Sequence, residues 1–504
     1  MGGVGSGRLD GRESAPAHSR SMAVENVLHV IRCRRVASIR WLKASITMFK
    51  QISMTNFKSW RETGPVRMAP LTGFFGANSS GKSSLLQMLL LLKQTAESND
   101  PNLVLKTGSL NPAATIPQAY VNLGAPHEIT HRNTTKMTLS LSFEEQKPLD
   151  SFAQLIQEQF FDISDLSFET SIHADSDTVY VESHRYFNGD KFSAQLSWQE
   201  KGRYSLYATR NGEELTRSGG RSKVNIRPTR CYGFSHGVYQ VYNEAFVLQF
   251  LENRLEQQLS DVYYLGPLRE FPQREYRWGG EQPSHVGIKG EWAVPAILAN
   301  GDKKVYSKNR KSKKNRLDSR VALSLVELNL ASSFRVEPIT EGSTLYQVKL
   351  KRNRRSHEVL ITDMGIGVSQ VLPVLVLCYY VPEGSTIILE QPELHLHPSV
   401  QAGLADVFID VIKNRNVQIL LESHSEHLLR RLQRRIAEEE FKPDDAALYF
   451  CEMHAGESKL TPLAVDMFGD IHNWPADFFG DLLGEVVAAF DAGLERKQLQ
   501  ANGS

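Results

Sequence analysis

Eight consecutive residues near the start of the chain have the types and spacing of a phosphate-binding loop. Gly76, Gly81, Lys82 and Ser83 satisfy the pattern G-x-x-x-x-G-K-[ST], and an apolar strand end precedes them while a leucine-rich, helical segment follows. The glycines let backbone N–H groups point at phosphate oxygens, and the helix N-terminus adds its positive dipole. Lys82 would reach the β- and γ-phosphates, and Ser83 would supply a hydroxyl to Mg²⁺. The expected phosphate-binding residues are Gly76, Ala77, Asn78, Ser79, Ser80, Gly81, Lys82, Ser83 and Ser84.

Two further apolar strands with polar ends lie far along the chain. One ends at Glu390, where nucleotide-binding enzymes place the carboxylate that holds the magnesium's water shell. The other, Val417–Leu421, leads to His424, which is well placed to contact a γ-phosphate or water. The histidines in these segments lack a third ligand set at zinc spacing, so we reject a zinc site.

A glycine-rich turn, Asp363–Pro373, opens an apolar helix between these landmarks. Its backbone amides and Ser369 form a second helix terminus that could bind an anion. One complete phosphate loop and one extra terminus predict a shared site, in which the second terminus caps the γ-phosphate bound by another subunit.

Several motifs in order carry a resemblance to a known class of proteins. They are NFKSW (56–60), GANSSGKSSLLQ (76–87), YLGPLRE (264–270), DMGIGVSQVLP (363–373), ILEQPELHLHP (388–398) and LLESHSEHLLRRLQRRI (420–436). The series resembles the ABC/SMC-head ATPases, and within them the RecF- and OLD-like AAA proteins of bacteria that end in a short C-terminal domain of unknown function. The tail segment Val465–Phe479 resembles that domain.

The resemblance implies an α/β fold of the P-loop NTPase type: a two-lobed ABC/SMC-like head with a β-rich insertion and a small C-terminal domain. It also implies ATP and Mg²⁺ as cofactors, with Ser83 and Glu390 on the metal. The implied assembly is an ATP-dependent homodimer in which Gly367, Ser369 and Gln370 act as the signature loop in trans. His424 would be the switch histidine.

The sequence departs from that pattern at Gln391, where ABC-type sites usually have a glutamate that polarises the attacking water. An amide can orient water but cannot accept its proton. Either Glu393 takes over as the base, or hydrolysis is slow and the protein is an ATP-held scaffold for a separate effector. Glu393 could equally lie in the loop that links the dimer halves. The candidate catalytic residues are Gln391, Glu393 and His424.

The resemblance, together with composition and periodicity, implies the domain boundaries. Residues 1–47 are expected to be a disordered extension, 48–435 a split ATPase head, and 436–504 a small C-terminal domain. The head divides into a Walker A lobe, a β-rich arm with helices, an inter-lobe region with a basic loop, and a lobe with the signature, Walker B and switch histidine. These parts are 48–130, 131–260, 261–360 and 361–435. The arm is predicted from five short runs of alternating residues: Lys136–Phe143, Leu166–Ile172, Thr178–Tyr186, Phe192–Trp198 and Tyr204–Thr209. Further along the chain we expect a helix over Ala245–Ser260, a strand over Asp261–Arg269 and an amphipathic helix over His427–Glu440.

Composition bounds the remaining possibilities. The 504 residues are 41% hydrophobic, which excludes a wholly disordered chain. The net charge of +1 does not indicate a class of binding partner. Four scattered cysteines and apolar runs shorter than a membrane span predict a cytoplasmic protein without membrane contact. Two basic runs, Lys303–Arg316 and Lys349–Arg355, are either solvated loops or a nucleic-acid surface. The function expected is that of an ATP hydrolase switched by dimerisation, acting in DNA metabolism or phage defence.

Overall fold

The computed structural model describes residues 47–108, 119–145, 154, 156–157, 165–215, 226–242, 245–300, 316–475, 478 and 487–494. The expected N-terminal extension, except Thr47, and the basic run Lys303–Arg316, except Arg316, lie outside these residues. Arg316 pairs with Asp318 at 3.2 Å. None of the described helices is long and apolar enough to cross a membrane.

The described strands occur in runs that are separated by helices. The strands are β1 Thr47–Phe57, β2 Trp60–Glu62, β3 Val66–Arg67, β4 Leu71–Gly76, β5 Lys136–Glu145, β6 Asp165–Ala174, β7 Val179–Asn188, β8 Phe192–Gln199, β9 Arg203–Arg210, β10 Glu213–Glu214, β11 Pro228–Thr229, β12 Gly233–Phe234, β13 Val262–Leu265, β14 Tyr276–Arg277, β15 Ser333–Pro338, β16 Leu345–Lys351, β17 Glu358–Leu360, β18 Thr386–Glu390, β19 Gln418–Glu422, β20 Ala446–His454 and β21 Glu457–Pro462. The helices are α1 Lys82–Ala96, α2 His236–Val241, α3 Ala245–Ser260, α4 Ala293–Ala299, α5 Leu317–Glu327, α6 Ile366–Tyr380, α7 Pro398–Arg415 and α8 Glu426–Ala437.

The first sheet is antiparallel and has nine strands. Its order is β10-β9-β8-β7-β6-β5-β1-β2, with β3 also paired to β1. Strands β5 to β9 coincide with the five alternating runs predicted from the sequence, because every second side chain points into one core. The β1–β5 pairing makes these strands one sheet with the N-terminal strands.

The second sheet carries the candidate site. Its order is β13-β18-β19-β4-β20-β21, and all pairings are parallel except that of β20 with β21. Strand β4, which precedes the phosphate loop, therefore lies between β19 and β20, and β18 is one strand further away. The carboxyl ends of parallel strands share one edge, so the loops after β4, β18 and β19 converge there.

The second sheet separates two hydrophobic cores. On β18 and β19, Ile388 and Leu420 face the core shared with the first sheet, α1 and α3. Their neighbours Ile387 and Leu421 face the core formed with α6, α7 and α8. Strands buried on both faces are continuous apolar runs, which is the pattern that the sequence shows at these positions.

The third sheet is antiparallel, and its strands precede α6 in the chain. Its order is β14-β16-β15, and β17 also pairs with β16. The basic run Lys349–Arg355 occupies the end of β16 and the turn that leads to β17.

Two element bounds differ from the sequence-based expectation. The strand expected over Asp261–Arg269 is β13, which ends at Leu265 because Gly266 and Pro267 follow and proline has no N–H for a sheet ladder. The helix expected over His427–Glu440 is α8, which begins at Glu426 and ends at Ala437.

Candidate nucleotide and metal site

The phosphate loop joins β4 to α1, and close backbone approach explains its glycines. Gly76 has φ 134°, and a Cβ there would lie 2.0 Å from the carbonyl oxygen of Cys451 on β20. Gly81 caps α1 with φ 92°, and its Cβ would lie 2.3 Å from Ser458 Oγ. Only glycine fits both positions, so the backbone amides of the loop are free to curl around an anion at the start of α1.

Lys82 extends along the inner side of this loop. Its side chain is 2% exposed, and Nζ donates to the carbonyl oxygens of Ala77 at 2.6 Å and Gly76 at 3.2 Å. Burial lowers the pKa of Lys82, and the charge of Glu422 opposes that effect. Among the other loop residues, Ser80 and Ser84 are buried, while Ala77, Asn78 and Ser79 are exposed.

Two glutamates end adjacent strands at the same edge. Glu390 on β18 and Glu422 on β19 are paired in register. Ser83 Oγ donates to Glu422 Oε2 at 2.7 Å, and Glu422 Oε1 lies 4.0 Å from Lys82 Nζ. The sequence analysis did not select Glu422, although both strands end in Leu-Glu and that repetition is a signal that could have identified it.

Glu390 is held by different partners. Its Oε1 accepts from the Tyr264 hydroxyl at 3.1 Å, and its carbonyl oxygen accepts from Arg269 Nη2 at 3.3 Å. Burial, together with the charge of Glu422, raises the pKa of Glu390 to about 7. Tyr264 and Arg269 belong to the motif YLGPLRE, so that motif supports the end of β18.

Glu393 fixes the loop that carries His424. The Glu393 side chain is buried, and its Oε1 accepts from Ser423 Oγ at 2.8 Å and from the backbone N–H of His424 at 2.7 Å. The His424 residue is exposed, and its imidazole has a pKa below the usual value because of partial desolvation and the charge of Lys82. This contact between Glu393 and the switch loop was not anticipated from the sequence.

Gln391 occupies a strained turn immediately after β18. It has φ 45°, and its backbone N–H donates to the carbonyl oxygen of Glu422 at 2.9 Å. The left-handed conformation is uncommon for a residue with a side chain, and it turns the chain sharply at the edge where the phosphate loop lies. The half-buried Gln391 thus sits between the two acidic strand ends.

The second predicted helix terminus is the start of α6. Gly365 caps the helix, Ile366 is 45% exposed, and Gly367 is partly exposed. Ser369 Oγ donates to the carbonyl oxygen of Ile366 at 2.7 Å, and both Ser369 and Gln370 are buried. The exposed part of the predicted signature turn is therefore Gly365–Gly367.

The donors present fit a magnesium nucleotide. The loop after β4 offers backbone amides and an ammonium group to phosphate oxygens, and Ser83, Glu390 and Glu422 offer hard oxygen ligands of the kind that Mg²⁺ prefers. The described residues contain no group of three or more His, Cys, Asp or Glu side chains placed to hold a metal ion. Phosphate oxygens and water would supply the remaining ligands, as is usual for Mg²⁺.

Comparison with known proteins identifies two regions. Residues 241–430 match the family described as "AAA domain, putative AbiEii toxin, Type IV TA system", and residues 441–488 match the family described as "Protein of unknown function (DUF3696)". The search of curated proteins found no match. The two family matches confirm the predicted order of an AAA domain followed by a short C-terminal domain of unknown function, in the regions that they cover.

Solved structures with low sequence identity also match. The SMC head bound to the C-winged helix domain of ScpA has 11% identity and a TM-score of 0.40, and the match covers 83% of this chain and 98% of that chain. The SMC head domain from Thermotoga maritima has 11% identity and a TM-score of 0.36, with coverage of 83% and 99%. The SMC head with an extended coiled coil, bound to the C-terminal domain of ScpA derived from Pyrococcus furiosus, has 10% identity and a TM-score of 0.39, with coverage of 83% and 96%.

Proposed function

We propose that this chain, a P-loop AAA ATPase with an SMC/ABC-like head, is a molecular switch in which binding of Mg·ATP closes a homodimer and hydrolysis reopens it. The observation that carries the proposal is the meeting of the phosphate loop, Lys82 and two acidic strand ends at one edge of the parallel sheet. That arrangement supports phosphoryl transfer to water, a reaction in which positioning and charge stabilisation dominate catalysis.

Each residue has a role in this proposal. Lys82 and the loop amides hold the phosphates, while Ser83 and an acidic strand end hold the metal. Bound magnesium would neutralise the charge that develops on the phosphates. Gln391 orients the attacking water through its amide, and His424 contacts the γ-phosphate. Glu393 keeps the His424 loop in place through its two hydrogen bonds.

The homodimer would complete the site through the start of α6. The exposed turn Gly365–Gly367 and the first amides of α6 would meet the γ-phosphate bound by the partner. Ser369 and Gln370 are buried behind this turn, so they would shape it rather than reach across, unless closure rotates the helix start.

The test measures both the rate of ATP hydrolysis and the oligomeric state of the protein. Purified protein should hydrolyse ATP at a specific rate that rises with protein concentration, and light scattering should show a dimer only with Mg·ATP. Lys82→Ala should abolish both effects, whereas Lys413→Ala, which removes an exposed ammonium paired with Glu440, should change neither. A chain that stays monomeric at saturating ATP, or is dimeric without it, would refute the switch.

An alternative within the same fold is a slow or non-hydrolysing scaffold that recruits a separate effector. Gln391 favours it, because an amide cannot accept the proton of the attacking water. Gln391→Glu should then raise turnover at least tenfold and shorten the lifetime of the dimer. The description of the matching family names a toxin, and we propose defence against phage as one setting for the switch and DNA metabolism as the other.

Nucleic-acid binding is a second candidate function, favoured by the turn between β16 and β17. In the described part of the chain, no acidic side chain pairs with the exposed Arg352, Arg354 and Arg355, whereas Lys349 pairs with Glu337 at 2.5 Å. Charge reversal at these three arginines should abolish DNA-stimulated hydrolysis and reduce the salt dependence of DNA binding. Binding that is unaffected by the reversal would exclude this surface, leaving Lys303–Arg316 as the remaining basic run.

A further inference from the structure

We infer that Glu422, rather than Glu390, is the carboxylate that shares the magnesium site with Ser83. The inference rests on the proposed function, since it concerns the metal of the same nucleotide site. The acid assigned to the metal is then at the end of β19, which pairs with β4, and not at the end of β18.

Strand order is the first argument. Strand β19 pairs directly with β4, and Glu422 is in register with Phe74, two residues before the loop begins at Gly76. Strand β18 pairs with β19 on its far side. Neighbouring strands are about 4.8 Å apart, so the backbone of Glu390 is about twice as far from β4 as that of Glu422.

Side-chain contacts are the second argument. Glu422 is 4% exposed, and its Oε2 lies 2.7 Å from Ser83 Oγ. Two neighbouring ligand oxygens in an octahedral Mg²⁺ shell with bonds of about 2.1 Å are about 3 Å apart, so these two oxygens are already spaced as ligands. The Oε1 of Glu422 faces Lys82, which would hold the phosphates of the same nucleotide.

Glu390 has partners that direct it elsewhere. Its Oε1 accepts from the Tyr264 hydroxyl, and Arg269 donates to its backbone carbonyl. Among the residues that the structure describes, Nε and Nη1 of Arg269 are buried without a hydrogen-bond partner, which leaves that guanidinium charge close to the end of β18. In the described part of the chain, the hydrogen bonds of Glu390 therefore run to Tyr264 and Arg269, whereas the Ser83 hydroxyl donates to Glu422.

The test measures metal binding apart from catalysis. Mn²⁺ replaces Mg²⁺, and its affinity for the protein–ATP complex is titrated by electron paramagnetic resonance in Glu422→Gln, Glu390→Gln and the control Glu393→Gln. Glu393 is as buried as Glu422, but it bonds to Ser423 and to the His424 backbone. We expect Glu422→Gln to weaken Mn²⁺ binding at least tenfold and the other two changes to weaken it less than threefold, with every titration made at saturating ATP.

A second measurement uses the unaltered chain, in case Glu422→Gln destabilises the fold. Iron(II) in place of magnesium, with ATP, ascorbate and hydrogen peroxide, cleaves the backbone near the metal, and mass spectrometry locates the cuts. Cuts beside Glu422 and Ser83 support the inference, whereas cuts centred on Glu390 overturn it. A tenfold loss of Mn²⁺ affinity in Glu390→Gln, alone or equal to that in Glu422→Gln, also overturns it.

Failure of the proposed function would look different. A wild-type chain that binds no ATP, and behaves like Lys82→Ala in every assay, would refute the ATP switch itself. A wild-type chain that binds ATP and Mn²⁺, combined with unchanged Mn²⁺ affinity in Glu422→Gln, would refute only the assignment of Glu422.

Discussion

Gln418 joins the first sheet to the second sheet, and replacing it should destabilise the whole head. The residue is 1% exposed at the start of β19. Its Oε1 accepts from the backbone N–H of Phe49 at 3.0 Å, and its Nε2 donates to the Phe49 carbonyl oxygen at 2.8 Å. The same amide also contacts the Ala69 carbonyl and the Thr386 hydroxyl.

Gln418→Met keeps the length of the side chain and removes these hydrogen bonds. The N–H and C=O of Phe49 would each lose a buried partner, and a buried unsatisfied group costs about 1–3 kcal/mol. We therefore expect the free energy of unfolding to fall by about 2–6 kcal/mol. Ala69 adds little because its carbonyl also accepts from Thr72 Oγ1.

Chemical denaturation followed by tryptophan fluorescence measures this loss, and hydrogen exchange at Phe49 locates it. Gln195→Met on β8 is the matched control, since that half-buried amide donates to the Ser197 hydroxyl. The control should change the unfolding free energy by less than about 1 kcal/mol, in the range of substitutions away from buried networks. A loss below about 1 kcal/mol in Gln418→Met, or unchanged exchange at Phe49, would refute the reasoning.

Three further predictions concern a buried ion pair, the phosphate loop and an aromatic core. Asp410→Ala removes the carboxylate that lies 2.8 Å from the buried Arg320 guanidinium, so the free energy of unfolding should fall by about 3–5 kcal/mol. The double variant Asp410→Ala, Arg320→Met should recover part of this loss in the same denaturation assay. Gly81→Ala places a Cβ 2.3 Å from a serine hydroxyl on β21 and should weaken binding of a fluorescent ATP analogue at least tenfold. Gly212 also has a positive φ, but a Cβ there has no described atom within 4 Å, so Gly212→Ala should leave binding unchanged. Burial lowers the pKa of His184 to about 3, against about 6.5 in the unfolded chain, so the unfolded chain binds more protons between these pH values and stability is lost as pH falls from about 6.5 toward 3. His184→Phe should reduce that loss by up to about 1.4 kcal/mol per pH unit, as measured by melting curves between pH 7 and 4. If stability depends on pH equally in the variant and the wild type, buried neutral His184 is not the cause of the loss.

Local pattern predicted the parts of this fold that depend on neighbours in sequence. The alternating runs became β5 to β9 because a strand with one buried face has a period of two. The predicted helix Ala245–Ser260 is α3 with the same bounds. The phosphate loop was recognisable because its glycines, Lys82 and Ser83 all lie within eight residues.

The parts that could not be predicted depend on contacts between distant segments. Ser83 and Glu422 are 339 residues apart, and Phe49 and Gln418 are 369 residues apart. The apolar runs in the sequence indicate that β18 and β19 are buried strands, but they do not indicate which of the two lies next to β4. Since that choice decides which glutamate meets the Ser83 hydroxyl, the sequence selected Glu390 and missed Glu422.

The position of β4 in its sheet also determines when the nucleotide site can first exist during synthesis. Both neighbours of β4 are made long after it, and the Gln418 amide that satisfies Phe49 follows that residue by 369 positions. At about 5–20 residues per second, a ribosome needs about 20–70 s to supply those positions. Throughout that interval β4 has neither of its hydrogen-bonded neighbours, so we expect the nascent chain to expose an open strand edge and the candidate nucleotide site to be complete only after β19 and β20 have been made.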